Sequence, residues 1–374
     1  LYYKNISPKF DKNRCKKLAL QLFTGRRVGC QVTLPKTGAY PARRLNQYKE
    51  RPDVMNKMFT IAKNTFIETI RQPVYTIIII AAILLFFVSP SLTMYTMSDD
   101  NKLLRELGLS TLFLASLFIA IFAASGAVAE EIENKTIMTV LTKPVQRPVF
   151  ILAKFLGVTG AVAMGHYICT IALIMAIRHG VLESVNDTND MTVVGAAAVV
   201  IILTCLLSAF LNYSYDWKFT STAMILLAAL GSIALIFLVF IDRDWQFNPA
   251  NNKINAVDIY GSVLLFLASV IMAALAVTLS SRFNIMVTLS ACVGLFLLGL
   301  ISDWAFGGLA QTHLWAKICY FILPNLQIFW ISDAIYEGSG VPFKYILISA
   351  SYAVCYTAGI LALAVAIFQP RQVG

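Results

Sequence analysis

Apolar residues along this chain gather into long unbroken runs instead of the alternating or 3.6-residue patterns of half-buried elements. The runs fall at about 74–97, 107–129, 151–178, 192–211, 220–241, 259–280, 285–304 and 344–368. Each is close to the roughly 20 residues that a helix needs to cross a hydrocarbon core of about 30 Å. No charged residue sits in the middle of any of them. The pattern predicts an all-α, polytopic transmembrane bundle of about eight spans filling residues 74–368.

Three segments break the pattern. Met55–Arg71, "MNKMFTIAKNTFIETIR", puts Phe59, Ala62, Phe66 and Ile70 on one helical face, with Lys63 and Glu68 off it. That spacing predicts an amphipathic helix over 55–73, flat on the membrane interface, with Pro73 opening the turn into the first span. Residues 130–150 are polar and lie between the second and third runs. Within them Ile137, Val140 and Leu141 stand at i, i+3 and i+4, and Glu131 and Lys135 are four apart. Pro144 and Pro148 stop the turn that these residues favour. Either a short amphipathic helix for a groove on a soluble protein, or a solvated loop with a chance turn, fits. Residues 305–343 are rich in Trp, Tyr and Phe but broken by Gly307, Gly308 and Pro324. They predict two short helices in the outer interface, one on each side of Pro324, with an ordinary folded outer loop as the other reading.

Composition sharpens this. Only 13% of residues are charged and 58% are hydrophobic, against roughly 25% charged in a soluble domain. The net charge of +10 is no sign of nucleic-acid binding, because residues 1–54 hold thirteen Lys/Arg and three Asp/Glu while 55–374 hold seventeen of each. The basic 1–54 extension has little with which to bury a core and is expected to be disordered. A strip drawn to anionic lipid, or an extension without a function ahead of Met55, are its other readings. Lys/Arg in the segments on the N-terminal side of the membrane number ten: Lys57, Lys63, Arg71, Lys135, Lys143, Arg147, Lys154, Lys218, Arg282 and Arg371. The opposite side carries the other seven of the seventeen, so the positive-inside rule predicts both termini in the cytoplasm, including 369–374. His166, deep in the third run, reads as a packed, hydrogen-bonded histidine ahead of a proton-handling one. The seven cysteines form no C-x-x-C pair, so neither disulfide, metal nor cofactor is expected. Gly157, Ala161 and Gly165, four apart, predict close helix packing, within one chain or across a dimer.

The run "VAEEIENKTIMTVLTKPVQRPVFILAKFLG" resembles the segment after the second span of ABC-2 type permeases. The matching positions are Glu131, Glu133, Lys135, Thr136, Ile137, Pro144, Val145, Arg147, Lys154, Phe155 and Gly157. "FTIAKNTFIETIRQPVY", "LAVTLSSRFNIMVTLSACVGLFLLG" and "IFQPRQVG" are similar to that family's opening, its late hairpin and its end. The family commonly has six spans, so the pair at 192–241 looks inserted. The resemblance implies a transport subunit, not an enzyme: a paired permease of an exporter in a bacterial inner membrane, driven by a separate ATP-binding-cassette ATPase. Glu131, Glu133, Lys135, Thr136, Ile137, Val140, Leu141, Pro144 and Arg147 would then form the coupling helix that docks it. No G-x-x-x-x-G-K-[ST] phosphate loop occurs in the chain, which agrees. The competing reading is a channel or secondary transporter without an ATPase, which should show broken helices and midplane charges. An intramembrane enzyme using Ser125 or His166 lacks any G-x-S-x-G or H-E-x-x-H motif.

Overall fold

In an apolar solvent every backbone N–H and C=O has to be bonded within its own segment, so charge-free runs become helices. The computed structural model describes residues 54–93, 100–129, 146–181, 189–248, 255–331 and 341–368, which belong to one compact unit. Its α-helices are α1 (Val54–Arg71), α2 (Pro73–Thr93), α3 (Asp100–Ala124), α4 (Arg147–His179), α5 (Met191–Tyr215), α6 (Phe219–Phe240), α7 (Ala256–Ser280), α8 (Ile285–Phe306), α9 (Leu314–Ile322) and α10 (Phe343–Phe368). Among the described residues, all of these but α1 and α9 are long and apolar enough to cross a membrane, eight helices. The protein is an all-α, multi-pass membrane bundle.

Local chemistry sets the ends. Pro73 starts α2 directly after the kink at Gln72, where its missing N–H costs nothing. Asp190 caps α5, its Oδ1 accepting from Thr192 N at 3.1 Å and Val193 N at 3.3 Å, and Asn284 caps α8 through Val287 N at 3.1 Å. The 192–241 region is two helices, as the two runs predict. They turn at Asp216 in the left-handed region (φ 54°), with Asn212 Nδ2 donating to the Trp217 carbonyl at 2.5 Å.

Of the membrane windows of α3, α4 and α7, 67% is buried, against 22% for α5 and 17% for α6. The first three are therefore the centre, ringed by α2, α8 and α10, and share one large apolar core with them. The α5–α6 hairpin has its own small cluster, built on Ile171 and Met175 of α4 with Val193, Val200, Ala234 and Leu238. One side chain clamps its far end. Arg178, 3% exposed, donates to the carbonyls of Leu238 and Ile241 at the C-terminus of α6, donates to Thr192 Oγ1 at 3.2 Å, and pairs with Asp190 Oδ2 at 3.5 Å.

Beyond α8 a helix, α9, precedes Pro324, and among the described residues a 3₁₀ turn, Gln327–Phe329, follows it; the expected second short helix would extend into 332–340, which lie outside the described residues. Between α9 and the 3₁₀ turn Leu323 is extended and Leu326 is right-handed, and α10 supplies hydrogen bonds to this stretch. Tyr356 Oη donates to Ile322 O at 2.5 Å, Tyr352 Oη accepts from Asn325 N at 3.0 Å, and Tyr345 Oη donates to Ile328 O at 2.6 Å. Leu326 N adds a bond to Gly299 O of α8 at 3.1 Å. From Tyr345 to Tyr356 is roughly 16 Å along a helix, so the segment runs down into the bundle and back. Tyr320 of α9 donates to Asp303 Oδ1 at 3.0 Å, and this bond, with burial second, holds its phenol above the usual pKa. Tyr352→Phe should leave the buried Asn325 N–H unpaired and destabilise the protein by about 1–3 kcal/mol. The unfolding midpoint in detergent reads this, with Tyr213→Phe, at a 91% exposed position, as the unchanged control.

Candidate functional site

The residues expected to dock a partner, Glu131, Glu133, Lys135, Thr136, Ile137, Val140, Leu141 and Pro144, lie outside the described residues. Arg147 is the first residue of α4. What can be built from the residues upward is the frame from which 130–145 is suspended.

One support is the end of α3, which loosens into a π-turn, Ser125–Ala129. Such turns are rare and often occur at functional positions. Ala127 and Val128 are buried, and Gly126 sits against the Gln72 side chain from the α1–α2 junction: a Cβ there would fall 2.6 Å from Nε2. The other support is the start of α4. Gln146 is extended, Pro148 occupies the first turn, and Phe150 N bonds back to Gln146 O at 3.1 Å. Phe150 stacks on Phe368 of α10 with centroids 6.0 Å apart. Lys154, 4% exposed, holds its ammonium 5.7 Å from the Phe150 ring centroid.

α1 is fastened to both supports. The small-residue stripe of α4 is a seam within the chain. A Cβ on Gly157 would lie 2.6 Å from Ala62 O and 2.6 Å from Thr65 Cβ of α1. Ala161 O accepts from Tyr75 Oη of α2 at 3.0 Å, and Gly165 leaves room for Ile119 of α3 and for that same tyrosine. Gly160, which the four-residue spacing passes over, faces Phe66. The expected apolar stripe of α1 is met in part: Ile70 is buried and Phe66 packs against the core. Thr65, Thr69 and Ile70 are buried, whereas Phe59 is 70% exposed. In a lipid solvent, small side chains let backbones approach, and an aromatic ring gains nothing by leaving the lipid.

Two polar or open features lie higher in the bundle. His166, 5% exposed, is packed and hydrogen-bonded as expected: Nδ1 is 2.7 Å from Ser116 Oγ of α3, and Nε2 is 3.0 Å from Ser262 O of α7. Thr170 Oγ1 reaches Ser262 Oγ at 2.7 Å. This cluster joins the three central helices through side chains that sequence periodicity does not mark. A cavity of about 480 Å³, a size common for small-molecule sites, lies between α3, α8 and the 3₁₀ turn. Phe113, Leu114, Phe296, Leu300 and Trp330 make it apolar, with Ser110 and Gln327 as its polar points.

A displacement of 130–145 would reach α3 and α4 together, with α1 bound to both. Comparisons with protein-family models, curated proteins and solved structures find no match to this chain.

Proposed function

We propose that this chain is the membrane-spanning subunit of an ABC-2 type transporter, an exporter of the bacterial inner membrane. In this reading it works as a pair of permease chains on a separate nucleotide-binding ATPase. The α1 end of the bundle, where both chain termini leave it, faces the cytoplasm. The observation that carries the reading is the frame: both ends of 130–145 spring from helices bolted to α1. A lever needs stiff supports, and a two-state bundle can be biased through them. The peripheral position of α5 and α6 fits too, since removing that hairpin in thought leaves a six-span body with its own core.

The test is co-purification of a phosphate-loop ATPase with the detergent-solubilised protein. Ile137→Asp or Leu141→Asp puts a charge on the proposed docking face and should weaken association about thirtyfold, the loss typical of a strong interface position. Removal of residues 1–54 should leave association intact. If both aspartate variants retain the ATPase at wild-type yield, docking is elsewhere and the reading loses its support.

A further inference from the structure

Two polar features of the central helices have no part in that reading: the His166 cluster and an ion pair at the end of α3 and α7 opposite α1. The hydrogen bonds define the state of the imidazole. A carbonyl only accepts, so Nε2 carries a proton and donates it to Ser262 O, with Ser262 Oγ a second neighbour at 3.2 Å. In the neutral ring Nδ1 is then the acceptor, and the Ser116 hydroxyl donates to it. Ser116 Oγ also lies 2.9 Å from the Leu112 carbonyl. A proton added at Nδ1 therefore requires only a hydroxyl rotation: Nδ1–H donates to Ser116, and Ser116 donates to Leu112. Both protonation states are fully bonded without moving a heavy atom. A histidine serving only to glue helices needs one.

The charged ring lacks a counter-ion, and the surroundings name the group that can supply it. From α2 the nearest titratable group is Tyr75, occupied with Ala161 O. On α4 itself Cys169 is buried among apolar residues, and Tyr167 turns to Ser232 of α6. Neither α6 nor the stretch of α3 beyond Glu106 carries a titratable residue. α10 turns Tyr352 and Tyr356 toward Ile322–Asn325, and Lys63 and Glu68 of α1 are exposed. α7 carries Asp258 and Tyr260, and Asp258 is its one carboxylate. It stands four residues before Ser262, hence one turn away on the same face. It is 6% exposed; its Oδ1 pairs with Arg105 Nε at 3.2 Å, while its Oδ2 is buried with no hydrogen-bond partner among the described residues.

We propose that His166 is a proton-binding site of the membrane core, controlled by whether Asp258 faces Arg105 or Ser262. With the ion pair closed, Arg105 neutralises the carboxylate and the ring stays neutral. When α3 and α7 part at Arg105, the carboxylate charge stands one turn from Ser262 and favours the imidazolium. The proton comes from water and resides on Nδ1; no other bond forms or breaks. The proposal goes beyond the permease reading and does not depend on an ATPase.

Histidine-selective ¹⁵N NMR of the solubilised protein tests it. There are three histidines, and the His166 signal is the one that His166→Gln removes. The wild type should show a neutral ring with its proton on Nε2. In Arg105→Gln the proton affinity of His166 should rise about tenfold or more, the effect of an unmasked neighbouring charge. In Arg105→Gln/Asp258→Asn it should return to the wild-type value. Equal midpoints in all three proteins overturn the proposal, as does a rise that survives in the double variant. If Arg105→Gln does not fold, the wild type decides: an Nδ1–H neutral tautomer contradicts the bonding pattern on which the site rests, and the Nε2–H form upholds it.

Discussion

Replacing Gly157 with leucine is expected to lift α1 off α4, at the upper end of the roughly 1–3 kcal/mol that over-packing costs. The reason is what the new side chain would meet. Its Cβ alone would come within 2.6 Å of the Ala62 carbonyl oxygen and of Thr65 Cβ. A backbone carbonyl on a helix cannot swing aside as the tip of a long side chain can, so α1 has to move as a body. Gly294→Ala is the control, because nothing lies within 4 Å of a Cβ there, and the helix preference of alanine over glycine, about 1 kcal/mol, should if anything stabilise α8. Two measurements check this: the unfolding midpoint in detergent, and hydrogen exchange of the α1 amides, which should speed up in the leucine variant while those of α7 do not. Equal midpoints for Gly157→Leu and Gly294→Ala would mean that the seam is loose. Under the proposed function, Gly157→Leu should also uncouple ATP hydrolysis from transport, since α1 would no longer brace the supports of 130–145.

Arg178→Met should cost about 3–5 kcal/mol, the usual penalty for removing one partner of a buried ion pair. Methionine has similar bulk, so the loss is electrostatic. Asp190 keeps the Thr192 and Val193 amides but loses its cation, and the last carbonyls of α6 lose their cap. Arg178→Lys should fall between the two, because a single ammonium cannot reach the Leu238, Ile241 and Thr192 oxygens with the spread of a guanidinium. Adding Asp190→Asn to Arg178→Met should cost less than the sum of the two single changes, since the groups interact. The damage should be local. Hydrogen exchange is expected to rise in α5 and α6 while the central α3, α4 and α7 stay protected, and uniform loss of protection across all helices would contradict the view of the hairpin as an attachment.

Some of this was legible from residue order. The eight crossings were, because a charge-free run of the right length has no other soluble or membrane state in which all of its backbone groups are bonded. The C-terminus of α5 at Asp216 and the N-terminus of α8 at Asn284 are set by short polar side chains that favour turns and caps, which the run pattern did not single out. The glycines of α4 announced close packing at Gly157 and Gly165. Their partners were not announced, since small residues invite any backbone, and the choice of α1, α2 and α3 depends on how the helices are arranged.

Where periodicity misled, the solvent was the cause. On α1 the apolar stripe includes the exposed Phe59, while the buried Thr65 and Thr69 lie off it, because in lipid hydrophobicity does not distinguish the inside of a protein from its outside. The same holds for Arg178 and Asp258. In the sequence they are charges near the ends of runs, like any residue at a membrane surface. Their partners, the end of α6 and Arg105 of α3, are more than fifty residues away in each case and meet them only after the bundle assembles. Residue order settled what crosses the membrane and where the chain turns, since those depend on local backbone bonding and length. Which faces meet, which charges are paired and what surrounds His166 were settled by packing alone, since apolar and buried are different things in a bilayer.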